Sequence, residues 1–119
     1  MKHFPYALGL SATLLFSVCA HAQWTTVASG TNSELRTVEV INSDTAFVAG
    51  ANVFLRSTDG GQTWTSLPIL NTNGQPINGM TFNDLHFFNS QVGVAVGVRG
   101  GLVHTILRTT NGGVNWTTV

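Results

Sequence analysis

The sequence predicts an all-β chain built from a four-stranded unit that occurs twice. Three observations predict it. Residues 57–64, STDGGQTW, return as residues 109–116, TTNGGVNW. Apolar and polar residues alternate over short runs, the period of a half-buried strand. After the first 22 residues the composition is rich in Val, Thr, Phe, Gly and Asn, the residues of strands and turns, and no helical periodicity runs through it.

The first 22 residues stand apart from this pattern. Lys2 is followed by an apolar run over residues 7–18, and Ala20-His21-Ala22 precedes Gln23. A short positive start, an apolar stretch and an A-x-A site form the grammar of a secretory leader, with cleavage expected after Ala22. The run is shorter than the roughly 20 apolar residues of a membrane-spanning helix. Lipidation at Cys19 ranks below simple cleavage, because Val18 stands where a small residue is expected. The chain is therefore expected in the bacterial periplasm or outside the cell.

Residues 23–119 number 97, by subtracting 22 from 119, a one-domain length. They carry Arg36, Arg56, Arg99 and Arg108 against Glu34, Glu39, Asp44, Asp59 and Asp84, and no lysine. So few cations exclude the usual electrostatic footprint of a nucleic-acid or anionic-lipid binder. The single cysteine leaves with the leader, which excludes disulfides and thiol chemistry.

The elements follow in order. Residues 24–27, WTTV, repeat letter for letter at 116–119, so 24–28 is expected to be the last strand of a preceding unit. Strands are expected over 35–41, 45–49, 53–56 and 64–67, forming one unit within 35–68. Residues 71–76 are a polar, turn-rich connection. The second unit, 80–119, repeats the pattern at 80–88, 92–98, 102–108 and 115–119. A shift of 52 lays Leu55–Gly61 on Leu107–Gly113, and Trp64 on Trp116. A shift of 47 lays Val38, Val40, Asn42 and Gly50 on Leu85, Phe87, Asn89 and Gly97. The difference of five is an insertion around Arg99-Gly100-Gly101 that lengthens one loop.

The repeated octapeptide lies between two strands and reads as a hairpin turn. Asp59 and Asn111 each carry an oxygen that can accept from backbone N–H groups just ahead. Gly60, Gly61, Gly112 and Gly113 supply positive φ, and Ser57 and Thr109 add a hydroxyl cap. Trp64 and Trp116 fold back over the turn and are expected to be buried, as is Trp24. A calcium loop would need about six to eight oxygens. One carboxylate in the first copy and none in the second are too few, so no metal or other cofactor is expected.

These residues resemble the Asp-box, S/T-x-D-x-G-x-x-W, of the BNR-repeat β-propellers. The longer stretches LHFFNSQVGVAVG and LRTTNGGVNW are similar to the repeat of the photosystem II assembly factor family. The resemblance implies that each unit is a propeller blade: two four-stranded antiparallel blades of an incomplete propeller. It implies that Ser57, Asp59, Gly61 and Trp64, with Thr109, Asn111, Gly113 and Trp116, are scaffold lying away from the ligand face. It also implies a non-enzymatic protein-interaction scaffold, although the basic patch through which that family binds a membrane-protein precursor is not visible here. Propellers typically have about four to eight blades. Two blades imply a piece of a longer propeller or, as the second reading, several short chains closing a ring.

The rival reading is carbohydrate: a lectin, or part of a sialidase-like hydrolase. Tyrosine is absent after the leader, the arginines are scattered, and no spacing pairs the carboxylates as a glycosidase requires. The binding candidates that remain are Glu39, His86 and Arg99. Glu39 and His86 share one repeat position on the innermost strands and are expected at the central channel or its mouth. Arg99 lies in the inserted loop, and loops carry binding. His104 has no metal-ligand spacing. Asn115-Trp116-Thr117 fits a glycosylation sequon, but the Trp role accounts for it.

Overall fold

A computed structural model describes residues 13–15, 17 and 21–119. The leader expected over residues 1–22 lies very largely outside the described residues. The two units form two four-stranded antiparallel sheets. The first contains β1 (Leu35–Val40), β2 (Ala46–Gly50), β3 (Val53–Ser57) and β4 (Thr65–Ser66). The second contains β5 (Met80–Phe87), β6 (Gly93–Arg99), β7 (Val103–Thr109) and β8 (Thr117–Thr118). In each sheet the strands pair in chain order, the up-and-down meander of a propeller blade. Among the described residues no helix is long and apolar enough to cross a membrane.

The two blades match in small features as well as in order. The first turn of each is closed by an asparagine. Asn42 Oδ1 accepts from the N–H groups of Asp44 and Thr45, and Asn89 Oδ1 from those of Gln91 and Val92. The first strand of each blade carries an irregularity at the same repeat position, at Arg36 in β1 and Asn83 in β5. Neither bulge shows in the alternation of the sequence, because a bulge inserts a residue without changing residue type. Gly50 and Gly97 lie opposite, where an added Cβ would come within 1.8 Å of the Glu34 carbonyl oxygen or 2.0 Å of the Thr81 carbonyl oxygen. Only glycine admits that approach.

The core lies between the blades. Phe47, Ala49 and Phe54 project from one face of the first blade. Phe82, Leu85, Phe87, Ala95, Leu107 and Trp116 project from the facing side of the second. Phe47 stacks on Phe87 at 4.1 Å, and Trp116 meets Phe54 edge-on at 5.5 Å. Such pairs contribute about 0.5–1.5 kcal/mol each beyond burial. The connection between the blades is polar at its tip, as expected over 71–76, but Ile69 and Ile77 on its flanks are buried in the same core. The Leu70 carbonyl accepts from the Trp116 N–H at 2.8 Å, so the connection runs beneath the second octapeptide.

Two expectations are corrected. Residues 24–28 form no strand, and Trp24 is 98% exposed. A strand exists only where a ladder partner accepts its hydrogen bonds, and no described strand lies beside it. Trp64 is only half-buried, whereas Trp116 is 1% exposed. The same motif places each tryptophan on the front of its own blade. Only the second has another blade against it.

This asymmetry sets an expected outcome. Measured by urea unfolding at dilutions where the chain is a monomer, Trp116→Ala should cost about 3–5 kcal/mol. Trp64→Ala should cost less than half of that. Equal losses would show that both tryptophans are buried alike in solution.

Candidate functional site

Two regions carry the chemistry-bearing side chains: the Asp-box turns at one end of the blades, and a polar seam with an extended hairpin toward the other. In the first turn the Ser57 hydroxyl donates to Asp59 Oδ1 at 2.8 Å and accepts from the Gly61 N–H at 2.8 Å. The Asp59 carboxylate also accepts from the Thr63 N–H at 2.9 Å and from the Thr63 hydroxyl. These bonds, the Thr63 hydroxyl first, lower the Asp59 pKa from 3.8 to about 2. The Trp64 indole N–H donates to the Gly61 carbonyl at 3.1 Å. Gly60 and Gly61 adopt φ of 71° and 84°, and the Gly60 N–H donates to the Asp44 carbonyl.

The second turn keeps this geometry with different chemistry. The Thr109 hydroxyl donates to Asn111 Oδ1 at 3.1 Å and accepts from the Gly113 N–H at 2.9 Å. Asn111 Oδ1 accepts from the Asn115 N–H at 2.9 Å. Where Asp59 faces a hydroxyl donor, Asn111 Nδ2 donates to Asn115 Oδ1 at 3.0 Å. The two substitutions match each other: acceptor with hydroxyl in one turn, amide with amide in the other. Gly112 and Gly113 adopt φ of 68° and 81°. A Cβ on Gly113 would lie 2.3 Å from the Phe54 ring, so this turn is pressed against the first blade. Asn115 Nδ2 donates to the Asn71 carbonyl at 2.7 Å, which commits the nitrogen that the sequon would modify. The turn oxygens are thus held by internal donors, and among the described residues no group of three metal-ligating side chains occurs.

The seam runs between β1 and β5, which lie side by side where the two blades meet. The two bulges turn Arg36 and Asn83 toward each other, and Arg36 Nη1 donates to Asn83 Oδ1 at 2.7 Å. Arg36 also pairs with Glu34 at 3.2 Å. The Thr37 hydroxyl donates to Asp84 Oδ1 at 3.0 Å. Glu39 Oε1 accepts from the Phe87 N–H at 3.3 Å and lies 3.2 Å from His86 Nδ1. The expectation that Glu39 faces a channel is therefore corrected. Its carboxylate turns between the blades, because the Phe87 N–H there needs an acceptor. His86 keeps its imidazole largely exposed, edge-on to Phe88.

Arg99 ends β6, opposite Met80. The insertion lengthens both arms of this hairpin: β6 and β7 have seven residues each, against five each in β2 and β3. The equivalent turn of the first blade docks on β5 through the Asn52 N–H to the Met80 carbonyl at 2.7 Å. The longer hairpin instead holds Leu102 at 86% and Val103 at 61% exposure beside Arg99. The sequence analysis singled out Arg99 but missed this apolar pair, whose signal was the pairing of Leu102 and Val103 with an insertion. The structure does not bring the arginines together. Arg36 lies in the seam, Arg99 on the hairpin, and Arg56 and Arg108 at equivalent positions on the third strands.

Comparison with known proteins agrees with this architecture. The profile of the family described as photosynthesis system II assembly factor YCF48 matches residues 16–119. The chain is similar to the solved structure of YCF48 from Cyanidioschyzon merolae, with 24% identity and a TM-score of 0.63, covering 82% of this chain and 30% of that one. It is also similar to a structure of YCF48 bound to D1 peptide, with 24% identity and a TM-score of 0.58, covering 75% of this chain and 27% of that one. The chain thus spans under a third of the length of these structures. No curated protein matches it.

The lowered Asp59 pKa has a consequence for acid stability. A depressed carboxyl pKa adds stability that is present above the unfolded value and lost as pH falls through the folded one. Between 3.8 and about 2 the wild type should lose stability that Asp59→Asn does not lose. Thermal melts of both proteins across that range check this, and parallel acid profiles would assign the loss to another group.

Proposed function

The chain belongs to the photosynthesis system II assembly factor YCF48 family, and from that membership we propose that it is an exported, non-enzymatic scaffold that binds a protein segment. A solved relative is described as bound to D1 peptide, which makes a peptide the first ligand class to test. The observation that carries the reading on this chain is the β6–β7 hairpin. It holds Leu102 and Val103 in solvent next to Arg99, at the end opposite the Asp-box turns. An exposed apolar pair beside a guanidinium suits an extended segment that carries an apolar anchor and a carboxylate.

Four of the five carboxylates after the leader are engaged by the scaffold, which supports binding over catalysis. Asp59 is held by its turn, Asp84 by Thr37, Glu39 by Phe87 and His86, and Glu34 by Arg36. A hydrolase built on two carboxylates needs them facing one cleft. The carbohydrate reading would draw on exposed tryptophan, which Trp24 supplies outside the blades, whereas Trp116 is buried and Trp64 is half-buried on its blade. Export rests on the leader grammar of residues 1–22.

Fluorescence anisotropy with a labelled D1 peptide tests the proposal. Leu102→Asp and Arg99→Glu should each weaken binding by about tenfold, or ~1.4 kcal/mol, without changing the circular dichroism spectrum. A glycan array run in parallel should stay blank. Glycan binding together with unchanged peptide affinity in Leu102→Asp would overturn the reading.

A further inference from the structure

Four steps in the chain place a side-chain carbonyl carbon next to a glycine nitrogen: Asp59-Gly60, Asn73-Gly74, Asn78-Gly79 and Asn111-Gly112. Such a step can close on itself, because glycine has no Cβ to hold its nitrogen away from the preceding Cγ. The fold treats the four differently. The Gly60 N–H donates to the Asp44 carbonyl at 2.9 Å, the Gly74 N–H to the Asn71 carbonyl at 2.9 Å, and the Gly112 N–H to the Gln91 carbonyl at 2.8 Å. The Gly79 N–H donates to none of the described residues. The side chains divide as well. Asp59 and Asn111 are tied into the Asp-box turns. Asn73 and Asn78 are both exposed, so the hydrogen bond on the following nitrogen is what separates them.

A hydrogen bond on the glycine nitrogen opposes closure in two ways. It holds the proton that the nitrogen must give up, and it fixes the peptide plane that must turn toward Cγ. Breaking that bond costs free energy before any reaction starts. At Asn73 the restraint is doubled, because Asn71 also accepts the Asn73 N–H through its Oδ1 at 2.9 Å. Asn78-Gly79 carries no such restraint, and it stands beside the turn of the β6–β7 hairpin. The Gly79 carbonyl accepts from the Gly100 N–H at 3.0 Å, and the next residue, Met80, pairs with Arg99. A Cβ on Gly79 would lie 3.3 Å from the Gly100 nitrogen.

We propose that Asn78 is a self-modifying site, which the folded chain converts to aspartate or isoaspartate next to this hairpin. The Gly79 nitrogen attacks Asn78 Cγ. A C–N bond forms, the carboxamide C–N bond breaks, and ammonia leaves with the proton that the Gly79 nitrogen gives up. Water then opens the cyclic imide. Opening at Cγ gives aspartate, and opening at the main-chain carbonyl gives isoaspartate; nothing is oxidised or reduced. Either product sets a carboxylate near the exposed Arg99. Isoaspartate also lengthens the main chain by a methylene just before Gly79, which moves the Gly79 carbonyl relative to Gly100. The new charge competes for Arg99 with the carboxylate of a bound segment. That last consequence rests on the binding reading above, and the modification does not.

Peptide mapping by mass spectrometry, after incubation of the purified chain in mildly alkaline buffer, reads the amide-to-acid conversion at Asn73, Asn78 and Asn111 separately. In native buffer Asn78 should convert first. In urea, where the protecting hydrogen bonds are gone, the three should convert at similar rates. Asn73 or Asn111 leading in native buffer would overturn the proposal. So would Asn78 leading equally in urea, since local sequence and not the fold would then set the order. Anisotropy with the labelled D1 peptide reads the consequence. Incubated wild type should bind about two- to fivefold more weakly than fresh protein, the effect of one exposed ion pair, whereas incubated Asn78→Gln should not change. Equal weakening of both would overturn the link to Arg99. Fresh protein that binds no peptide would overturn the proposed ligand class, and the mapping would still decide the modification.

Discussion

The packing of one blade's rear against the next blade's front is the contact on which the rest of this structure depends. A four-stranded blade is thin, and each of its faces carries apolar side chains that its own sheet cannot cover. Phe47, Ala49 and Phe54 become core only because Leu85, Phe87, Leu107 and Trp116 meet them. The same motif on the first blade leaves Trp64 half-buried. Trp64 donates its indole N–H to the Gly61 carbonyl, while the buried Trp116 Nε1 has no partner among the described residues. An unmade buried bond costs about 1–3 kcal/mol, and burial of the indole face between three phenylalanines offsets it.

The Asp-box turns serve that contact. Their hydroxyl, carboxylate or amide, and two glycines hold a tight bend that sets the tryptophan at the blade front. The second turn also presses Gly113 against Phe54, so hairpin and interface form one object. The paired exchange of Asp59 and Thr63 for Asn111 and Asn115 shows what the segment conserves within this chain. It keeps the bonds that shape the bend while changing the charge. A metal loop would lose its function under that exchange, and a turn does not.

Function is left to what the repeat does not use. The seam employs polar residues on the inner strands to fix the blade-to-blade register, and that use accounts for Arg36, Glu39, Asn83 and Asp84. The β6–β7 hairpin breaks the repeat, and its exposed apolar pair takes no part in the chain's own packing. A departure from repetition on a regular scaffold is where a binding surface is expected.

The sequence by itself determined the fold class, the two four-stranded blades within residues 35–119, the turn chemistry and the family resemblance. Each of these is written in local spacing: alternation, an octapeptide seen twice, glycines after Asp or Asn. Even the five-residue insertion at Arg99 was legible, as a mismatch between two shifts. Only the tertiary structure decided that Trp116 is buried and Trp64 is not, that Glu39 turns into the seam, and that residues 24–28 pair with nothing described. It also decided that Arg36 and Asn83 are bulged and face each other. Burial and pairing depend on what lies across a face, and a residue's own neighbours in sequence carry no record of that. Identical motifs therefore end in different environments, because the second blade has a first to pack on.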